Sequence, residues 1–175
     1  MSLSVIWLSA DPIARGALGV TGRVECARYL LEQGLDVVVI CGAEPHHRPV
    51  EGVPTVFIPS RYLPLAGWLS LWPGVVRELA DRGHGADVVV TDFAMLPPLV
   101  HWRNAARRGG RPVPRIVLDV RTPPVEAAPA RLALQKARFA MTLRAYGRRV
   151  EAITAISEGL AGHVAGLARV DLVTR

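Results

Sequence analysis

The chain has 175 residues, half of them apolar and 21% charged, and its formal net charge of +6 is carried almost wholly by arginine, since Lys136 is the only lysine. That length suits about one domain, which buries roughly two thirds of its unfolded surface. The composition excludes disordered, collagen-like and disulfide-rich classes, and no apolar run approaches the roughly 20 residues of a bilayer span.

With no basic region ahead of the short apolar run 3–8, no secretory signal is expected, and the expected location is the cytoplasm. Cys26 falls in a predicted helix and Cys41 at a predicted strand end, positions suited to buried thiols, so disulfide, metal or catalytic roles are not expected of them. The charge is unevenly spread. Residues 93–118 hold Arg103, Arg107, Arg108, Arg111 and Arg115 without an acid, and residues 127–150 hold Arg131, Lys136, Arg138, Arg144, Arg148 and Arg149, again without an acid.

In chain order, residues 3–9 form a short buried strand bounded by Asp11 and Pro12. The stretch DPIARGALGVTGR follows, then an amphipathic helix over 22–33, with Val20, Val24, Ala27 and Leu31 on one face and Gly34 as its stop. Strand, glycine-rich loop and helix in this order let Gly16, Gly19 and Gly22 turn tightly and approach a ligand, with the first helix amides aimed at a negative or polar group. A plain strand-to-helix connection without a ligand uses the same pattern.

Residues 36–41, DVVVIC, read as a strand buried on both faces, and 53–58 as a third strand, with a loop over 42–52 between them. The segment RYLPLAGWLSLW over 61–72 carries Tyr62, Trp68 and Trp72, but Pro64 and Gly67 oppose one continuous helix. Pro73 fits the first turn of a helix running to about Arg82, stopped by Gly83. Residues 86–92 form the fourth strand, 95–108 a helix, 114–120 the fifth strand and 127–146 a long helix. In that helix Arg131, Gln135, Arg138 and Thr142, with Arg149 beyond its end, form one basic stripe, opposite a buried side of Leu132, Phe139, Leu143 and Tyr146. Residues 152–156 form a sixth strand, Ser157 caps a helix over 158–167, and 170–175 open a further strand or a linker.

Short apolar strands alternating with helices specify an α/β, Rossmann-like, doubly wound parallel sheet in three α/β/α layers. Ligands of such sheets bind outside the carboxyl ends of the strands. Those ends carry Asp11 with the glycine loop, Glu44 and His46, Asp92, Asp119 with Arg121, and Ser157 with Glu158. Each has a structural alternative: Ser157 as a helix cap, Asp92 as a loop or cap residue, and Asp119 with Arg121 as partners of loop amides and a neighbouring carboxylate. His46 and His47 are adjacent and point oppositely if extended, which argues against a shared metal, and no metal site is expected.

The segments GALGVTGRVECARYLLEQGLDVVVIC, ADVVVTDFAMLPPLVHWRNAARRGGRPVPRIVLDVRTP and EAITAISEGLAGHV, in this order, resemble the N-terminal domain of retaining glycosyltransferases of the GT-B fold, in the family 4-like group that includes sucrose synthase and lipid mannosyltransferases. The resemblance covers nearly the whole chain, residues 1–169, as a single acceptor-side domain. It implies transfer of a sugar from a nucleotide-sugar donor to an acceptor with retention, no cofactor beyond that donor substrate, and a partner Rossmann-like C-terminal domain that is missing here. Without it the chain is expected to be inactive. Gly16 and Gly19 match the family's loop near the donor phosphates, and Asp92, Ser157 and Glu158 join them as substrate-binding candidates. Many members place a histidine at the end of the strand corresponding to 114–120, where this chain has Asp119 and Arg121, the two candidates for catalysis and further candidates for substrate binding.

Three other expectations accompany this reading. The basic stripe and the aromatic segment suit contact with an anionic membrane surface at the inner face. A dinucleotide-binding oxidoreductase domain, with Glu44 on a ribose, is the alternative enzyme class, although the glycines here are spaced three apart rather than as Gly-x-Gly-x-x-Gly. A non-catalytic basic binding module is the third class; no specific nucleic-acid signature is present, so the sequence pI near 10.3 implies only non-specific retention.

Overall fold

Strands β1 (Ser4–Ser9), β2 (Asp36–Ala43), β3 (Thr55–Pro59), β4 (Val88–Thr91), β5 (Arg115–Val120) and β6 (Ala152–Ala155) form one sheet in the computed structural model. It describes residues 2–11, 13, 21–43, 46–59, 67–121 and 128–168. The order is β3-β2-β1-β4-β5-β6 and every pairing is parallel. β1 sits in the middle, in register with β2 from Ser4 opposite Asp36 to Ser9 opposite Cys41, and with β4 from Val5 opposite Val88 to Leu8 opposite Thr91. The chain leaves β1 towards β2 and β3, then crosses to β4 on the other side. The strand order therefore reverses between β1 and β4, the switch point outside whose carboxyl ends a parallel sheet forms its ligand crevice.

Alternating residues of each strand feed two cores. Ile6 and Leu8 of β1, Ile40 of β2 and Ile116 and Leu118 of β5 face helices α2 (Trp72–Arg82), α3 (Leu96–Arg108), α4 (Pro129–Tyr146) and α5 (Glu158–Ala168). Val5 and Trp7 of β1 with Val37, Val39 and Cys41 of β2 face helix α1 (Thr21–Glu32) through Val24 and Ala27. This is why DVVVIC has no polar alternation: both of its faces are covered. α1 ends at Gly34 in a left-handed conformation (φ 79°), with Gly34 N–H donating to Leu31 O and Leu35 N–H to Leu30 O, a pair of bonds that satisfies the last carbonyls and turns the chain into β2.

The fold class, strand order of elements and helix stops follow the sequence expectations, with edges shifted by one to two residues. One expectation needs correction. Arg138 and Gln135 are half-buried and Thr142 is buried, so of the predicted stripe only Arg131 and Arg149 are solvated. α4 packs against both α3 and α5, which covers its flanks as well as its sheet side. Its open face instead carries Leu134, Lys136, Met141 and Arg144. In the aromatic segment, 61–66 lie outside the described residues, and Trp72 packs half-buried against the main core.

Candidate functional site

The carboxyl ends of β1 and β4 are tied together by Asp92, the residue after β4. Its Oδ2 accepts the Ala10 N–H at 2.7 Å, and its Oδ1 accepts those of Ala94 at 2.9 Å and Met95 at 3.0 Å. The first bond joins β4 to the end of β1. The other two close the turn that opens α3, whose Leu96 N–H also donates to Asp92 O. Although the residue is half-buried overall, burial of the carboxylate pushes its pKa up; the amide of Ala10 pulls it down, while nearby Asp11 raises it further. Three of its roughly four acceptor directions serve the backbone, so Asp92 is the staple of the crevice.

Above that staple stand two guanidiniums. Arg23, in the first turn of α1, donates through Nη1 to Ser9 Oγ at 2.9 Å and to Asp11 Oδ2 at 3.3 Å. Its side chain is largely enclosed, whereas that of Asp11 is open to solvent. From the opposite side α4 sends in Arg138, whose Cζ lies 5.1 Å over the Phe93 ring. Burial lowers the pKa of Arg138, and the negative charges of Asp92 and Asp11 offset this in part. A cation in the first turn of a helix opposes the helix dipole unless negative charge is near. Asp11 supplies some of it to Arg23, and an anionic ligand fits the same field.

Asp119 and Arg121, at the end of β5, are directed to each other. Arg121 Nε donates to Asp119 Oδ2 at 2.7 Å, and Thr154 Oγ1 on β6 donates to Asp119 Oδ1 at 2.8 Å. The guanidinium then reaches α1: Nη2 lies 3.2 Å from Cys26 Sγ, Nη1 is 3.0 Å from where a Cβ on Gly22 would stand, and Cζ is 5.5 Å from the Trp7 ring centre. Burial draws the Arg121 pKa down, but the bonds to Asp119 and Cys26 outweigh it and hold it above the ordinary value. The pair is a strut between β5, β6 and the start of α1, with Gly22 leaving room for the guanidinium.

Ser157 is the cap of α5, its Oγ accepting the Leu160 N–H at 3.3 Å, and Glu158 is exposed in the first turn. Gly16, Gly19 and Glu44 lie outside the described residues. His46 and His47 have ring centres 4.3 Å apart rather than on opposite sides, and among the described residues no group of three or more potential ligands is arranged for a metal. The structure thus gathers Asp11, Asp92, Arg23 and Arg138 at one rim and sets the Asp119–Arg121 pair behind α1. Sequence reasoning passed over Arg23 and counted Arg138 in an exposed stripe. The available signals were a cation in the helix turn after a glycine loop, and an arginine directly before the core residue Phe139.

This rim brings together two guanidiniums, Arg23 and Arg138, and two carboxylates, Asp11 and Asp92, the second of which is held by backbone amides. The basic block of α3 belongs elsewhere: Arg103 is paired with Glu151 at the amino end of β6.

Several solved structures share this fold. A glycosyltransferase from Rickettsia africae ESF-5 matches 97% of the chain and 41% of its own at 14% identity, with a TM-score of 0.53. An α-glucosyltransferase in complex with UDP and a 13-mer DNA matches 99% and 42% at 10% identity, with a TM-score of 0.57. A UGT transferase from Siraitia grosvenorii in complex with UDP matches 98% and 47% at 13% identity, with a TM-score of 0.53. The chain spans less than half the length of each of these proteins. No curated protein sequence matches it. The family model described as Glycosyltransferase Family 4 matches residues 21–173, nearly the whole of the sheet and its helices, and the chain belongs to that family.

Proposed function

We propose that this chain is the acceptor-side half of a retaining GT-B glycosyltransferase, in which a second Rossmann-like domain closes over the rim and brings most of the grip on the nucleotide-sugar donor. The observation that carries this reading is the crevice between β1 and β4, stapled by Asp92 and flanked by Arg23 and Arg138. A parallel sheet binds ligands at such a switch point, and two guanidiniums there suit the diphosphate of a nucleotide-sugar. Contact of the Gly16 and Gly19 backbone with the same phosphates is part of the proposal. UDP in two of the related structures is in keeping with such a donor. In this reading Asp119 and Arg121 are positioning residues that hold α1, and with it Arg23, against the rim. In this reading sugar transfer needs both walls of the cleft.

Calorimetric titration with UDP-glucose, GDP-mannose and NAD tests the reading. Weak binding of a nucleotide-sugar, above the micromolar range, with none of NAD is expected; binding of NAD alone overturns it. Peripheral contact with an anionic membrane is part of the proposal. The exposed face of α4 carries Leu134 and Met141, 49% and 68% accessible, among Arg131, Lys136 and Arg144, a mixture suited to acidic headgroups. No helix among the described residues is long and apolar enough to cross a membrane. Failure to sediment with anionic vesicles at low salt removes this part.

A further inference from the structure

At the opposite end of the sheet, a basin of about 330 Å³ is lined by Arg103, Asn104 and Arg107 of α3 and by Arg148, Arg149 and Glu151 before β6. Four arginines against one glutamate leave a net +3. Arg103 is 3% exposed; its Nη1 donates to both oxygens of Glu151, at 2.9 and 3.0 Å, and its Nη2 to the carbonyl of Arg149. Its buried Nε has no hydrogen-bond acceptor. Glu151 is already engaged three ways, since its Oε2 also accepts the Ile116 N–H at 2.6 Å and its Oε1 lies 4.0 Å from Arg107 Nη2.

Arginines collect at helix C-termini in any case, because the carbonyl ends of the dipole attract them. That accounts for Arg107 or Arg148 singly, and the Arg103–Glu151 pair alone is enough to pin α3 to β5 and β6. Neither explains why four arginines line one concavity together with a glutamate that Arg103 already engages through both oxygens. Like charges held together in a partly desolvated site repel, and an anion with several acceptor oxygens relieves the repulsion while using the planar donor forks.

We propose that this basin is a phosphate-binding site, taking a phosphate monoester, inorganic phosphate or the phosphate of a lipid headgroup. The inference stands apart from the donor reading, because it uses none of the rim residues.

The test is titration of the chain with inorganic phosphate at ionic strength held constant with sodium chloride, on wild type, on Arg107→Ala with Arg148→Ala, and on Arg28→Ala with Arg77→Ala. The last pair removes the same charge from exposed positions outside the basin. Saturable phosphate binding by wild type, weakened roughly tenfold or more by the basin pair and little by the control pair, is expected from losing charge-assisted hydrogen bonds. Arg107→Lys with Arg148→Lys, which keeps the charge and loses the forks, is expected to fall between and serves if the alanine pair folds poorly. Vesicles of phosphatidylcholine with and without phosphatidic acid separate the sources: loss of vesicle binding by the basin pair beyond that of the control identifies a lipid phosphate, and loss of inorganic phosphate binding alone identifies a soluble one. No saturable phosphate binding by wild type, or equal weakening in the two alanine pairs, overturns the proposal.

Discussion

Replacing Asp92 by alanine removes three hydrogen bonds to one carboxylate: Ala10 N–H at 2.7 Å, Ala94 N–H at 2.9 Å and Met95 N–H at 3.0 Å. Bonds to a charged partner contribute about 1.5–3 kcal/mol each. They share one acceptor group and the freed amides are within reach of water, so the whole loss is expected to be about 3 kcal/mol rather than the sum. For a domain of this size that lowers the melting temperature by roughly 6–12 °C. Asp92→Asn keeps an oxygen for Ala94 and Met95 but turns an NH2 towards Ala10, so about half the loss is expected. Urea unfolding followed by circular dichroism measures both. The pH dependence has a definite sign. Burial raises the folded pKa of Asp92 above its ordinary value of 3.8, so the folded state holds the proton more tightly than the unfolded chain. Stability from this group therefore increases as pH falls from above the folded value to below 3.8, and the stability difference between wild type and Asp92→Asn widens across that interval. If Asp92→Ala unfolds within 0.5 kcal/mol of wild type, a difference in the range of neutral surface changes (about ±0.5 kcal/mol), the staple is not what holds the crevice.

Arg121→Ala leaves Asp119 with Thr154 alone and removes the contact with Cys26; since both members of the ion pair keep some solvent access, a loss of about 1–2 kcal/mol is expected, read by the same unfolding assay. No loss on alanine substitution contradicts the strut. Gly147→Ala sets a methyl 2.5 Å from Ala168 Cβ and 3.0 Å from its Cα, where α4 ends against α5, and an overpacking loss of about 1–3 kcal/mol is expected in thermal melts. An unchanged melting temperature shows that the two helix ends separate freely. Burial drives the Cys41 thiol up to about 11, so at pH 8 only on the order of one in a thousand is thiolate. A maleimide followed by mass spectrometry is expected to label Cys26 first, and early labelling of Cys41 contradicts its enclosure under Ile13.

The sheet was legible because its strands state their burial directly. Runs such as DVVVIC can only be covered on both faces, and glycines after Leu31 and Arg108 stop helices where left-handed residues, Gly34 and Gly110, are needed. Which residues share the carboxyl rim followed from the parallel order. Their engagement did not. Asp92 meets Ala10 across 82 positions of sequence, a bond that exists only once β1 and β4 are neighbours. Arg138 was misread because a helix wheel assumes one covered side, whereas α4 is covered by α3 and α5 as well as by the sheet. The Arg103–Glu151 pair, 48 positions apart, was hidden for the same reason as the Asp92 staple: the block 93–118 has no acid of its own and borrows one from the edge of β6.

The central claim is that the rim between β1 and β4 is one wall of a nucleotide-sugar cleft, and mapping amide resonances of the chain during titration with UDP-glucose or GDP-mannose tests it most directly. Shifts confined to Ala10, Asp11, Gly16, Gly19, Gly22, Arg23, Phe93 and Ala94, weakened roughly tenfold in Arg23→Ala and Arg138→Ala as one charge-assisted contact is lost, are the expected result. Shifts that avoid this rim, or that NAD produces and neither nucleotide-sugar does, contradict the account.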